Sequence, residues 1–170
     1  VKPLLLLGFL ALVCTGAASS GDQQRLKEYF SPDRSIVARV FTVTGERGSN
    51  PESNIEFRRR ADGKLIGAKS FMSKDRRHGL GVLKALWSFD SNFFVFSMVS
   101  SGGQRPGVFP TFYFSRKATR IHLLDAALKA NIVNPEFSLQ APDVVTVAVQ
   151  DSAARAVVER TIRLSKLPRL

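Results

Sequence analysis

The chain carries one cysteine in 170 residues, together with two histidines and one tryptophan. Each scarcity excludes a class of chemistry. Cys14 is the lone thiol and lies in an N-terminal segment that reads as an export signal, so the mature chain is predicted to form no disulfide, zinc–thiolate site or cysteine nucleophile. His78 and His122 stand 44 residues apart, and neither has a second histidine or an acid at the i, i+4 spacing of a helical zinc site, so no metal and no cofactor is predicted. A nucleophile elbow of the Gly-x-Ser-x-Gly kind is missing. Gly79-Leu80-Gly81 lacks the third glycine of a phosphate loop and runs into a predicted strand. Acidic residues are also few, 14 against 25 basic ones, giving a net charge of +11.

The longest apolar run, Leu4 to Val13, is too short to span a bilayer, which takes about 20 residues. Lys2 precedes it and Gly16-Ala17-Ala18 ends it, which is the order of an export signal cleaved after Ala18. Residues 1–18 are therefore predicted to be a signal peptide, and no transmembrane segment follows it. A lipid anchor on Cys14 asks for a small residue before the cysteine, and Val13 weighs against it. The expected location is periplasmic or extracellular. Loss of Lys2 leaves 24 basic and 14 acidic residues, a net +10 that favours anionic surroundings. For an exported chain these are envelope polymers or a protein partner. Nucleic acid fits the charge but not the export signal.

What is abundant is phenylalanine, 13 residues of it, set in short segments of period two. Residues 19–30 are polar and read as a leader or one short helix, and residues 31–170 read as a single β domain. Ile55-Glu56-Phe57-Arg58, then Asp62-Gly63, then Leu65-Ile66 reads as a hairpin, with Ile55 and Phe57 on one face and Glu56, Arg58 and Arg60 on the other. Phe93-Phe94-Val95-Phe96 offers no polar side, which predicts a strand covered on both faces. A short helix over residues 125–130 is predicted, with Asp125 as N-cap. The fold expected is all-β, an antiparallel meander of hairpins packed as a sandwich or a blade-like stack.

One phrase recurs. Phe30-Ser31-Pro32-Asp33, Trp87-Ser88-Phe89-Asp90 and Ala141-Pro142-Asp143 each launch an apolar segment, spaced 57 residues from Ser31 to Ser88 and 53 from Ser88 to Ala141. This resembles the Trp-Ser-Pro-Asp-Gly strand repeat of Tol-associated periplasmic propeller proteins, with Arg34, Ser91 and Val144 standing where that family has glycine. A closed propeller takes about four blades of four strands. The resemblance therefore implies an incomplete, blade-like stack, and a scaffold that presents loops to partners more than a catalyst.

Arg58, Arg60 and Lys64 fall on one predicted hairpin, Arg76 and Arg77 in the loop that follows, and Arg116 and Arg120 on a hairpin one repeat later. If the repeats stack in register, these seven residues form a positive stripe for phosphate or carboxylate groups. The plainer reading, which is preferred, is a set of solvated turn charges that keep strand edges from pairing. The function expected is an exported, non-enzymatic binding or structural domain of the cell envelope. The alternative is a small secreted hydrolase using the Ser100–Gly107 loop with His78 or His122, and acids such as Glu46, Glu52, Asp75, Asp90 and Asp125 offer it no selected partner.

Overall fold

A computed structural model describes residues 24–44, 50–103, 106–151, 153 and 155–167. The predicted signal, Cys14 and Glu46 lie outside the described residues. The rest is all-β, as expected: eleven strands in three antiparallel sheets with one short helix. The first sheet is a meander of β1 (Gln24–Phe30), β2 (Ile36–Val43), β3 (Glu52–Arg59) and β4 (Leu65–Ser70). The second repeats it with β5 (Leu80–Trp87), β6 (Phe93–Ser100), β7 (Thr111–Ser115) and β8 (Arg120–Leu123). Helix α1 (Leu124–Leu128) leads to the third sheet, β9 (Asn131–Gln140), β10 (Val144–Asp151) and β11 (Ala156–Arg163), which is followed by a 3-10 turn, Leu164–Lys166.

The sheets stack in sequence order, and β6 shows why. Phe94, Phe96 and Met98 point into one core, where Phe57 and Ile55 of the first sheet meet Phe112 and Phe114. Phe93 and Val95 point into a second core built with Val145, Val147, Phe137 and Ile132 of the third sheet. Both faces of β6 are thus covered, with Phe94, Val95 and Phe96 fully buried. Ring geometry knits the first interface. Phe57 stacks on Phe114 at 3.8 Å and meets Phe94 edge-on at 5.6 Å. Each such ring contributes about 1.5–3 kcal/mol by its burial.

At one end of the stack, called the turn end, the chain passes from first to second strand in each sheet. Ser31 Oγ donates to Asp33 at 2.6 Å and accepts the Ile36 amide at 3.1 Å. Ser88 Oγ repeats this with Asp90 at 2.6 Å and the Phe93 amide at 2.9 Å. Arg34 and Ser91 adopt the left-handed conformation, φ 56° and 63°, that glycine takes more easily. The third turn departs from the pattern. It has no serine, Val144 is not left-handed, Ala141–Pro142 is cis, and the buried Asp143 accepts the Ser165 amide at 2.7 Å. The turns also touch in a row, with the Asp33 amide donating to Ser91 Oγ at 3.0 Å and the Asp90 amide to the Pro142 carbonyl at 3.2 Å.

The opposite, loop end is tied down by a buried carboxylate. Glu52 accepts from the Ser73 and Gly79 amides, each at 2.7 Å, and from the Ser73 and Ser101 hydroxyls at 2.8 and 2.6 Å. Burial pushes its pKa up, and the bonds from Ser101, Ser73 and Gly79 outweigh that and hold it below the usual value. A side chain at Gly79 would strike this carboxylate at 2.4 Å, which explains the glycine.

Several expectations are corrected. Residues 24–30 form strand β1, neither leader nor helix; it is an exposed edge strand whose charged sequence hides its pairing with β2. Strand β9 was not foreseen, because Pro135 sits where its register with β10 breaks between Val147 and Val149, a bulge that an edge strand tolerates. Asp125 is not an N-cap: Leu123 holds that position without a side-chain bond, and Asp125 instead accepts the Thr111 and Ile132 amides at 2.9 and 3.1 Å. The Asp62-Gly63 turn has Gly63 in the left-handed conformation, φ 69°.

Two stability changes follow. Phe94→Ala removes a ring from the middle of the stack and is expected to cost about 3–5 kcal/mol, read from the urea midpoint at unchanged slope. Arg34→Gly relieves a left-handed non-glycine residue and is expected to stabilise by about 0.5–1 kcal/mol on the same measurement; a lower midpoint would contradict the turn geometry.

Candidate functional site

The seven basic residues nominated from sequence divide among three places. Arg58 lies on the outer face of the first sheet, where it pairs with Glu56 at 2.9 Å. Arg76 and Arg77 are in the β4–β5 loop at the loop end. Arg60, Lys64, Arg116 and Arg120 come together at the turn end, on the third-to-fourth-strand hairpins of the first two sheets. A single stripe of seven is not formed, because antiparallel connectivity sends successive loops to opposite ends.

The turn-end group is organised around the first Ser-x-Asp turn. Arg116 donates to Asp33 at 2.6 Å, and Arg60 donates to the Arg34 carbonyl at 3.1 Å while lying over the Phe30 ring. Partial burial pushes the Asp33 carboxyl up, but bonds from Ser31, Ser35 and Arg116 together hold it well below the ordinary range. Lys64, Lys117 and Arg120 are exposed and have no acidic partner among the described residues. Lys117 lies next to Arg116 on the same hairpin and adds a further exposed cation to the group.

Next to these hairpins lies a concave pocket of about 510 Å³. It is lined by Phe93, Tyr113, Ser115, Lys117, Arg120 and His122 of the second sheet, by Leu164, Ser165 and Leu167 after β11, and by Asp90 and Asn92 of the β5–β6 turn. Tyr113 and His122 are opposite each other in the β7–β8 register and stack at 5.1 Å. Burial, then the charge of Arg120, pushes the His122 pKa down, so the ring is neutral near pH 7. The pocket was invisible in sequence, since it arises where three strands are stacked on four.

The elements of the hydrolase alternative are dispersed. His122 is at the pocket, whereas the described part of the Ser100–Gly107 loop and His78 are at the loop end. His78 Nδ1 bonds Asp75, whose pKa is held at about 2 by the Ser73 side chain, the Arg77 amide and His78. Ser73 and Ser101 both donate to Glu52, and neither histidine ring bonds a hydroxyl among the described residues. Asp90 in the pocket lining is engaged by Ser88 and Asn92. No group of three metal-ligating side chains occurs among the described residues, and no helix there is long and apolar enough to cross a membrane. Neither a scan against protein-family models nor a search of curated proteins returns a match to this chain.

The depressed pKa of Asp33 gives a pH test. A carboxyl whose folded pKa lies below its unfolded value of about 3.9 adds stability above that value and loses it as pH falls. Asp33→Asn is expected to lower the Tm at pH 7, and the gap from the parent should close below about pH 4; a gap independent of pH would remove the ion pair with Arg116 from the account.

Proposed function

We propose that the chain is an exported, non-enzymatic β scaffold of the cell envelope that binds anionic envelope polymer or an acidic protein partner at its turn end. The observation that carries this reading is the gathering of Arg60, Lys64, Arg116, Lys117 and Arg120 on adjacent hairpins, with Lys64, Lys117 and Arg120 lacking acidic partners among the described residues. Cations left unpaired in one place raise the local positive potential and draw polyanions to it. The hairpins are rigid supports, because the turn beside them is fixed by serine and aspartate bonds and the strands that lead into them, β3 and β7, bury Phe57 and Phe114 fully in the first core. Export rests on the Lys2, Leu4–Val13 and Gly16-Ala17-Ala18 pattern.

Kinship with the blades of Tol-associated periplasmic propeller proteins is part of the same proposal. Its support is the repeated Ser-x-Asp turn between the first two strands of successive four-stranded meanders. Blade scaffolds commonly carry function on their loops.

Retention on phosphocellulose tests the reading. A variant carrying Arg60→Ala, Lys64→Ala, Lys117→Ala and Arg120→Ala is expected to elute at clearly lower salt than the parent. A control that removes four charges elsewhere, Arg25→Ala, Lys74→Ala, Arg76→Ala and Arg155→Ala, should elute close to the parent. Equal elution of the two variants would show that net charge alone sets retention and would overturn the assignment.

A further inference from the structure

Two of the sheets have four strands, while the third has three among the described residues, and β11 is the edge strand on the side where the other two sheets carry a fourth strand. The position that is vacant can be read from the first sheet. There β4 lies across β7 and β8: Ile66 enters the core, Gly67 sits against the Phe114 ring, and Lys69 lies over Phe71 and Phe112. The other side of β7 and β8, carrying Tyr113, Ser115, Arg120 and His122, receives no such strand from the described residues, and the pocket opens there.

Register locates the vacancy further. The start of the second strand pairs with the end of the third in every sheet, as Ile36 with Arg59, Phe93 with Ser115 and Val144 with Arg163. After Arg59 and Ser115 the chain turns into β4 and β8. After Arg163 it forms the Leu164–Lys166 turn, whose Leu164 is buried and lines the pocket. The pocket is therefore the space that a fourth strand on β11 would cover.

We propose that this place is an edge-addition site for an acidic extended segment of another polypeptide, which pairs its backbone with β11 and sets alternate side chains into the pocket. The proposal deepens the binding-module reading and rests on it. An unpaired edge supplies a row of backbone donors and acceptors. Charge sets the chemistry of the partner: Lys117 and Arg120 line the pocket without acidic partners among the described residues, and the one pocket carboxylate, Asp90, is already satisfied by Ser88 and Asn92. A flexible anion would satisfy the cations alone, whereas an extended peptide satisfies the edge and the cations together.

The probe is the acetylated, amidated octapeptide of four Glu-Val repeats. Its analogue, N-methylated at alternate residues on the pairing edge, keeps every charge and removes the backbone donors. Amide hydrogen exchange is followed across residues 156–163 with each. The expected result is protection by the parent peptide of those β11 amides that are not bonded to β10, with binding about tenfold or more weaker for the N-methyl analogue. Lys117→Glu with Arg120→Glu, both exposed, should fold normally and bind the parent peptide at least about tenfold more weakly. Equal binding of the two peptides, or binding without β11 protection, would reduce the site to electrostatics and overturn the proposal. Protection of the same amides in the chain alone would mean the edge is filled from within, and would also overturn it. Phosphocellulose retention is measured in parallel: a chain held there through the turn end whose β11 amides ignore the peptide keeps the binding reading and loses the strand.

Discussion

The structure depends on one strand having no polar side. With Phe94, Phe96 and Met98 in one core and Phe93 and Val95 in the other, β6 cannot face water on either face, so two further sheets must cover it. That requirement sets the number of layers and the order of stacking, and puts the termini of every strand at two opposite ends. Function has no place in the layers themselves. It is left with the turn end and the loop end, and with whichever edges the strands leave open.

The two ends are built by different polar devices. At the turn end, a hydroxyl and a carboxylate two residues apart close each of the first two turns locally, and the contacts between turns are few: Asp33 with Ser91 and Arg116, and Asp90 with Pro142. At the loop end, Glu52 draws donors from two separate segments and holds the β4–β5 loop against the β6–β7 connection. The loop end is thus committed to holding the sheets together. The turn end keeps cations to spare, which is why we propose binding there.

Much of this was legible in the sequence, and the failures have physical causes. Alternation and aromatic runs identified β3, β4 and β6, and the recurring turns located the apolar segments of β2 and β10, because a buried face must repeat every second residue. Edge strands β1 and β9 escaped because edges need not bury a face: β1 is exposed along nearly all its length, and β9 carries Pro135 at a bulge. Arg34 and Ser91 stood where the repeat has glycine, yet both turns form, since the serine and aspartate bonds offset the left-handed strain. The basic residues could be found in sequence but not sorted, because assigning Arg60 and Arg76 to opposite ends requires knowing the strand directions. The pocket belongs to no segment and could not have been read at all.

The faces and edges of the stack are treated unequally. On the outer face of the first sheet, Arg39 pairs with Glu28 and Arg58 with Glu56, although Leu26 and Phe30 stay exposed along β1. By strand order and register, Arg39 and Arg58 hold the places that Phe96 and Phe114 hold in the second sheet. On the outer face of the third sheet Thr146 and Thr161 bond each other across β10 and β11, where the second sheet has Val95 and Tyr113. Polar substitution of this kind is how terminal repeats of stacked arrays remain in water. Such faces do not ask for another layer. The β11 strand is less protected among the described residues: Val157 is exposed near its start, and the pocket lined by Leu164 and Ser165, which follow its end, leads to Tyr113 and His122. A stack whose faces are finished and whose one edge adjoins an open, cationic pocket is adapted to take up a strand, not another sheet.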